Sequence, residues 1–330
     1  MKSRILVFLL PVVMAWISLL SAQQYEGIDE LEVEFTNASV RLSGTVLQPQ
    51  FGTPLAAVVL IHGSGEGRRD GLREIANGLA ARNLAVLLYD KRGSGESDGD
   101  WTRSSLDTLA EDAAAGFRFL QDHLNDPEIP IGLWGISQGG WIAPVTAQLI
   151  EPDFLIVVTG GARSPREVEL HGYRETLRSI GASAKDVEVA EQLLSRYFKY
   201  LAGSATHESL MELVRSQVDQ DWFIALGIGS VIPSPENRQY WEWVSLFESE
   251  ASVRNLTVPT LVLLGSEDPL APHPATRNAW EDYLSSAVDQ NRVEIFEGAG
   301  HGIRTGAHGG DFMPGYFDVQ LQWLEQIRAQ

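Results

Sequence analysis

The sequence predicts an α/β fold with a mostly parallel, doubly wound sheet, antiparallel strands at the amino-terminal end and one helical insertion. Short runs that are almost continuously apolar recur along the chain, as expected of strands covered on both faces. Helix-like stretches alternate with these runs, which is the pattern of right-handed βαβ crossovers. One segment of about ninety residues breaks the alternation and is much too long for a loop.

The predicted strands are of two kinds. Residues 31–35 and 40–47 come first, and alternation of apolar and polar residues in the second predicts half-buried antiparallel strands at a sheet edge. The apolar runs that predict buried strands lie at 56–61, 85–89, 131–134, 154–158, 260–264 and 293–296. Helices are predicted between them at 71–82, 105–124, 138–150, 275–286 and 315–329. The second helix carries one apolar stripe, because its apolar residues recur every three or four positions.

Residues 1–22 are predicted to be a signal peptide. Lys2 and Arg4 precede an apolar run over 5–20, and the small residue Ala22 precedes the expected cleavage site. The run is short for a membrane span, which needs roughly 20 apolar residues. We therefore expect export to the periplasm or the extracellular space, with an uncleaved anchor as the alternative.

Composition excludes several classes of protein. The chain has no cysteine, so a thiol nucleophile, a disulfide framework and a Cys-based zinc site are ruled out. Its net charge of -19 repels nucleic acid and anionic lipid surfaces. We expect neither a nucleic-acid partner nor stable membrane insertion once the signal peptide is removed.

The mature chain is predicted to consist of a core in two parts, residues 23–163 and 255–330. The insertion between them, residues 164–254, is helical in pattern and rich in aromatic residues. Two interpretations are open: a lid whose aromatic side chains line a pocket, or a helical addition with a small core of its own.

The motif most specific for chemistry joins the strand predicted at 131–134 to the helix after it. Residues 135–139 read Gly-Ile-Ser-Gln-Gly, which is G-x-S-x-G in its strand-to-helix context. Such a turn holds Ser137 in a strained backbone conformation, and only glycines let the neighbouring chain pass closely. Ser137 is thus the predicted nucleophile. The amide of Gln138 would lie at a helix N-terminus and face a developing oxyanion.

A serine nucleophile needs a base within hydrogen-bond reach, and the base needs a carboxylate to orient it. Of the seven histidines, His301 is preferred because it lies in a glycine-rich loop directly after the strand predicted at 293–296. His308, in the next glycine-rich stretch, is the alternative base. His273, between two prolines, falls near the loop that carries the candidate acid.

Two carboxylates, Glu267 and Asp268, follow the strand predicted at 260–264. Asp268 is preferred as the acid because Pro269 tends to hold the residue before it in an extended or turn conformation. Glu267 is expected to be a solvated neighbour. A turn-capping role for Asp268 is the alternative.

Two further loops follow predicted strands at the same edge of the sheet. Residues 62–65 read His-Gly-Ser-Gly, and their glycines allow close approach of the backbone to substrate. We interpret His62 as a hydrogen-bonded structural residue. Asp90 and Arg92, after the strand predicted at 85–89, are expected to pair and to brace the loop beside the nucleophile.

With these motifs the chain resembles secreted bacterial α/β hydrolases of the serine aminopeptidase-like and short-chain esterase groups. The signatures that carry the resemblance lie at residues 62–65, 89–93, 135–144, 265–268 and 300–302. The resemblance implies an α/β-hydrolase fold, acyl transfer to water and a lid over the active site. It also implies that Ser64 supplies the second oxyanion amide and that neither a metal nor a cofactor takes part.

The predicted function is therefore that of a serine hydrolase that forms an acyl-enzyme, with short-chain carboxylic esters as the favoured substrates. Gly63 and Trp141 are predicted to contact this small-molecule acyl substrate. A serine aminopeptidase or a thioesterase of the same fold is an alternative. Outside the enzymes, the alternative is a catalytically silent ligand-binding module.

Overall fold

The computed structural model describes residues 27–286, 288–306 and 310–329. The predicted signal peptide, residues 1–22, and the alternative base His308 lie outside these ranges. Within them, no helix is both long enough and apolar enough to cross a membrane.

A twisted sheet forms the centre of the fold, with its strands in the order β1-β2-β4-β3-β5-β6-β7-β8. β1 pairs with β2 and β2 with β4 in antiparallel register, and the pairs from β4 to β8 are parallel. The strands are β1 Ile28–Asn37, β2 Val40–Pro49, β3 Ala56–Ile61, β4 Leu84–Tyr89, β5 Ile131–Ile136, β6 Phe154–Val158, β7 Thr260–Gly265 and β8 Arg292–Phe296. The predicted α/β architecture is thus confirmed.

Helices cover both faces of the sheet. Those of the core are α1 Arg73–Ala80, α2 Leu106–Leu124, α3 Gly139–Thr146, α10 Ala275–Tyr283 and α11 Tyr316–Arg328. Successive residues of a buried strand point to opposite faces. Accordingly, Val59 packs in the cluster with α2 and α3, whereas Val58 and Leu60 pack in the cluster with α1 and α11.

The predicted apolar stripe of α2 is confirmed, since Leu109, Ala113 and Phe117 are all buried against the sheet. The helix begins after Ser105, whose side chain accepts a hydrogen bond from the amide of Thr108.

The prediction that β2 is a half-buried edge strand is wrong. The side chains from Leu42 to Leu47 are all buried, because β2 lies between β1 and β4 rather than at the edge. Polar side chains in this stretch are accommodated by hydrogen bonds, as where Thr45 Oγ1 donates to Glu32 Oε1 at 2.8 Å. The polar residues of this alternating pattern are therefore buried and hydrogen-bonded, and they do not form an exposed face.

Between β6 and β7 the chain forms a run of helices, which we call the helical segment. Its helices are α4 Pro165–Ser179, α5 Ala184–Leu201, α6 His207–Arg215, α7 Asp221–Leu226, α8 Trp243–Leu246 and α9 Ser249–Arg254. The segment has a hydrophobic cluster of its own, to which Leu194, Phe198 and Trp222 belong. Trp243 contacts both this cluster and that of the sheet.

Candidate active site

Ser137 occupies a strained turn between β5 and α3. Its φ is 55°, in the left-handed region that a residue with a side chain rarely adopts. The turn is fixed from both sides, because the Ser137 amide donates to the Val158 carbonyl at 3.0 Å and the Gly140 amide donates to the Ser137 carbonyl at 2.8 Å. A Cβ on Gly139 would lie 2.5 Å from the Ile61 carbonyl oxygen, so glycine is required there.

Gly63 lies against the Ser137 side chain. A Cβ at position 63 would be 3.3 Å from Ser137 Cβ and 3.8 Å from Ser137 Oγ. The glycine thus lets the loop after β3 approach the hydroxyl closely. Within the described ranges, the Ser137 hydroxyl makes no hydrogen bond to another protein group, and the one side-chain hydrogen bond of His301 is to Asp268. Without a bound substrate, hydrogen bonds of this kind are often long or poorly aligned.

Asp268 and His301 form a pair at the ends of neighbouring strands. His301 Nδ1 lies 2.9 Å from Asp268 Oδ2, and the aspartate side chain is fully buried. The other oxygen, Oδ1, accepts hydrogen bonds from the amides of Leu270 at 2.8 Å and Ala271 at 3.1 Å. A carboxylate held in this way requires Nδ1 to be the donor, which leaves Nε2 free to accept a proton.

Of the two neighbouring carboxylates, Asp268 contacts the imidazole, whereas Glu267 is exposed. The loop that carries His301 is anchored to the core: the Gly302 amide donates to Thr159 Oγ1 at 3.2 Å, just beyond β6. His273, which follows the loop of the candidate acid, does not line either of the cavities described below, and its Nδ1 is buried without a hydrogen-bond partner among the described residues.

Ser137 and His301 face one cavity of about 270 Å³, which we call the proximal cavity. A second cavity of about 310 Å³, the distal cavity, adjoins it. Ser64, Glu169 and Tyr173 line both. The base, the candidate nucleophile and an apolar space for a ligand are therefore brought together at the carboxyl edge of the parallel sheet.

The backbone amides of Ser64 and Gln138 have no hydrogen-bond acceptor among the described residues. Gln138 stands at the N-cap of α3, where an amide has no partner within the helix. An oxyanion hole requires two such unpaired donors.

Lys91, which the sequence analysis did not single out, connects the two loops that carry these amides. Its Nζ donates to the carbonyl oxygens of Gly63 at 2.6 Å and Gly65 at 2.9 Å, and to Gln138 Oε1 at 3.1 Å. Burial lowers the pKa of this lysine to about 8. The sequence feature that could have singled out Lys91 is its position in the loop after β4, which lies at the same edge of the sheet as Ser137.

Glu169 and Tyr173, both on α4, are further residues that sequence reasoning missed. Glu169 is an exposed residue that lines the two cavities, where neighbouring protein atoms partly desolvate its carboxyl group. This desolvation raises the pKa of Glu169, and the neighbouring Tyr173 hydroxyl opposes the rise. Helical periodicity did not reveal which residues of the segment face the site.

Trp141 lines the proximal cavity, as its predicted contact with substrate requires. Its indole Nε1 also donates to the Arg163 carbonyl at 2.8 Å, which ties α3 to the start of the helical segment. His62 has the predicted structural environment: its Nε2 lies 2.7 Å from the Tyr89 carbonyl oxygen, and burial lowers the pKa of its imidazole to about 4.

The predicted pairing of Asp90 with Arg92 is wrong. Arg92 instead forms a bidentate pair with Asp112 on α2, with Nε to Oδ2 at 2.6 Å. Asp90 accepts hydrogen bonds from the amides of Arg69 at 2.7 Å and Glu96 at 3.0 Å. The side chains of Asp90 and Arg92 point in different directions from this tight loop, so Arg92 pairs with α2 and Asp90 with backbone amides. The described ranges contain no group of three histidine or acidic side chains able to hold a metal ion.

Comparisons with known proteins bear on the fold and the family of this chain. The esterase EstD of Thermotoga maritima is 24% identical over 261 residues, which are 77% of this chain and 55% of EstD. The chain therefore spans little more than half the length of that relative.

Two solved structures share the fold. The Pyrococcus furiosus esterase Pf2001 superposes with a TM-score of 0.56 at 19% identity, over 91% of each chain. The proline iminopeptidase of Mycobacterium smegmatis gives a TM-score of 0.58 at 16% identity, over 91% of this chain and 99% of that one.

The family model described as serine aminopeptidase, S33, matches residues 52–305. This range includes the strained turn at Ser137, Asp268 and His301. The chain belongs to that family, within the α/β-hydrolase superfamily.

Proposed function

We propose that this protein is a serine hydrolase that cleaves carboxylic esters of small acyl substrates through an acyl-enzyme. One observation carries the proposal: Ser137, in its strained turn, faces the same cavity as the imidazole that Asp268 orients. The esterase names of a relative and of a structural neighbour support the choice of ester over other acyl bonds.

In the proposed reaction, Ser137 Oγ bonds to the acyl carbon while His301 Nε2 takes the hydroxyl proton. The amides of Ser64 and Gln138 receive the oxyanion, and losing one such donor typically costs on the order of 3 kcal/mol. When the ester C–O bond breaks, His301 returns the proton to the departing alkoxide. Water then attacks the acyl-enzyme by the same route, which releases the acid and restores Ser137.

A fluorophosphonate probe tests the nucleophile directly. We expect the wild type to be labelled once and Ser137→Ala not to be labelled. Equal labelling of both proteins would end the proposal. The Ser105→Ala variant is the matched control, because Ser105 caps α2 and lies outside both cavities.

A serine aminopeptidase is the second candidate, and the position of Glu169 favours it. A carboxylate that lines both cavities suits the free amino group of a peptide substrate, and one structural neighbour is named a proline iminopeptidase. The apolar walls, which include Trp241, Trp243 and Val244, favour the ester. Rates on a panel of p-nitrophenyl esters and aminoacyl-nitroanilides decide between the two.

We further propose that the helical segment acts as a lid and that residues 1–22 direct export. The segment supplies cavity walls from α4, as expected of a lid. Mass spectrometry of the protein recovered from the periplasm or medium tests the export proposal, which predicts a new amino terminus at Gln23. Retention of the whole segment in a membrane fraction would contradict cleavage.

A further inference from the structure

The ammonium group of Lys91 is buried beside the candidate oxyanion hole. The residue is 4% exposed. An ammonium has three N–H donors, and here the three acceptors are the carbonyl oxygens of Gly63 and Gly65 and the Gln138 side-chain oxygen. All three acceptors are neutral. Among the described residues, no carboxylate forms a salt bridge with this charge.

The bond to Gly63 determines how the next amide is oriented. In a planar trans peptide, the carbonyl and the N–H of the same unit point in opposite directions. Because Lys91 holds the Gly63 oxygen on one side, the Ser64 amide is directed to the other. That amide has no acceptor among the described residues, and Ser64 lines the proximal cavity together with Ser137.

The charge itself requires an explanation. Burying an ammonium group without a carboxylate partner costs free energy, and proteins keep such charges where something compensates them. Acyl transfer at Ser137 creates a negative charge next to the amides of Ser64 and Gln138. The Lys91 side chain contacts the residues on both sides of that position.

We infer that Lys91 is a positioning residue for the oxyanion hole, whose charged side chain fixes the Gly63–Ser64 peptide and the Gln138 residue so that both amides meet the oxyanion. This inference rests on the proposed function. The inference adds one requirement to the proposed function, namely that Lys91 be protonated for full activity.

Of the ionisable groups near the candidate oxyanion hole, Lys91 is the one expected to change its protonation state near pH 8. His62, at the end of β3, is neutral above pH 5 because its pKa is lowered to about 4. Asp90 is held by backbone amides. Glu169 lines the distal cavity with Lys91, as do Tyr173 and Tyr197. Burial raises the pKa of both tyrosines, which moves their titration further from neutrality.

Deprotonation of Lys91 has opposite effects on activity and on stability. Its folded-state pKa of about 8 is below its ordinary value of 10.5, so between these values the unfolded chain binds more protons. The contribution of this group to stability therefore rises with pH across that window. Activity, in contrast, is expected to fall as pH rises through about 8.

The test compares the wild type with Lys91→Met, and with Lys185→Met as a matched control on the exposed start of α5. We measure kcat and KM for p-nitrophenyl acetate from pH 6 to 9.5 and the melting temperature at each pH. We expect Lys91→Met to lose kcat by on the order of ten- to a hundred-fold, below the loss from deleting an oxyanion donor. Its KM should change little, and its kcat profile should lack the alkaline fall of the wild type.

Wild-type kcat in a folded Lys91→Met protein, or an unchanged alkaline fall, would overturn the inference. If that variant does not fold, the wild type decides: a reversible fall in kcat near pH 8 without a lower melting temperature supports the inference, and a flat profile overturns it. A wild type that neither reacts with fluorophosphonate nor hydrolyses the ester would overturn the proposed function as well. If fluorophosphonate labels the wild type but Lys91→Met has wild-type kcat, only the role of Lys91 is excluded and the proposed function stands.

Discussion

The sheet edge and the helical segment form opposite sides of the same cavities, and they do so in different ways. At the sheet edge, the loops after β3, β5, β7 and β8 converge because the carboxyl ends of parallel strands meet there. Backbone geometry sets this side, as the φ of 55° at Ser137 and the close approach of Gly63 illustrate.

Across the cavities, the helical segment contributes side chains from helices that pack on a cluster of their own. Glu169 and Tyr173 reach the site from α4, whereas Tyr197 reaches it from α5. Nothing in the reaction requires these residues in particular. We propose that the loops at the sheet edge carry out the chemistry and that the helical segment selects the substrate, so substitutions on the two sides should affect different quantities.

The largest effect is expected at the nucleophile. Ser137→Ala should lower kcat by on the order of a million-fold, as in other serine hydrolases that lose this group. Thermal unfolding should change little, because a methyl group fits where the hydroxyl makes no hydrogen bond to the described residues. Steady-state hydrolysis and melting curves measure both. A residual rate within a hundred-fold of the wild type would remove Ser137 from the mechanism.

Asp268→Asn should come next, with a loss of about ten-thousand-fold in kcat, because an amide at this position favours the wrong imidazole tautomer. Its exposed neighbour provides the control: Glu267→Gln should retain activity. Similar losses of kcat from both substitutions would mean that the negative charge of the loop matters and that the contact between Asp268 and His301 does not. The kcat values of the two variants at neutral pH make the comparison.

Stability and chemistry should separate at the buried pair of Arg92 and Asp112. Asp112→Ala removes the carboxylate that pairs with Arg92; Asp112 is 1% exposed and also accepts from Asn37 Nδ2 at 2.8 Å. Leaving the guanidinium unpaired should lower the free energy of unfolding by about 3–5 kcal/mol. Asp318→Ala, at an exposed pair with Arg82, should cost about 1 kcal/mol or less. Urea unfolding measures both, and equal costs would contradict the distinction.

The smallest effect is expected in the helical segment. Glu169→Gln should raise the ratio of ester to aminoacyl-nitroanilide kcat/KM by about tenfold, since a hydrogen bond to a charged group contributes about 1.5–3 kcal/mol. Glu188→Gln, on the exposed surface of α5, should leave this ratio unchanged. An unaltered ratio in the Glu169 variant would mean that the segment does not select substrates through this carboxylate.

The sequence was most informative where local backbone rules apply. The buried strands at 56–61 and 154–158 begin and end where predicted, and the strained serine turn lies where its glycines placed it. The sequence placed Asp268 and His301 directly after predicted strands, and their contact follows from the pairing of β7 with β8, because the loops after neighbouring parallel strands begin at the same edge of the sheet.

The sequence was least informative where tertiary contacts decide. The pairing of Arg92 with Asp112 instead of Asp90 depends on how α2 packs on the sheet. The buried ammonium of Lys91 and the position of Glu169 depend on the approach of loops and helices far apart in sequence. Neither residue type nor periodicity indicates which charge in a loop will be turned inward.

In the proposed reaction, Ser137 forms the covalent intermediate. Incubation with a slowly hydrolysed p-nitrophenyl ester, acid quench and peptide mass spectrometry test it most directly. We expect one acyl group on the peptide that contains Ser137, with a burst of one p-nitrophenolate per protein chain. Turnover of the ester without this adduct, or an adduct on another side chain, would contradict the account.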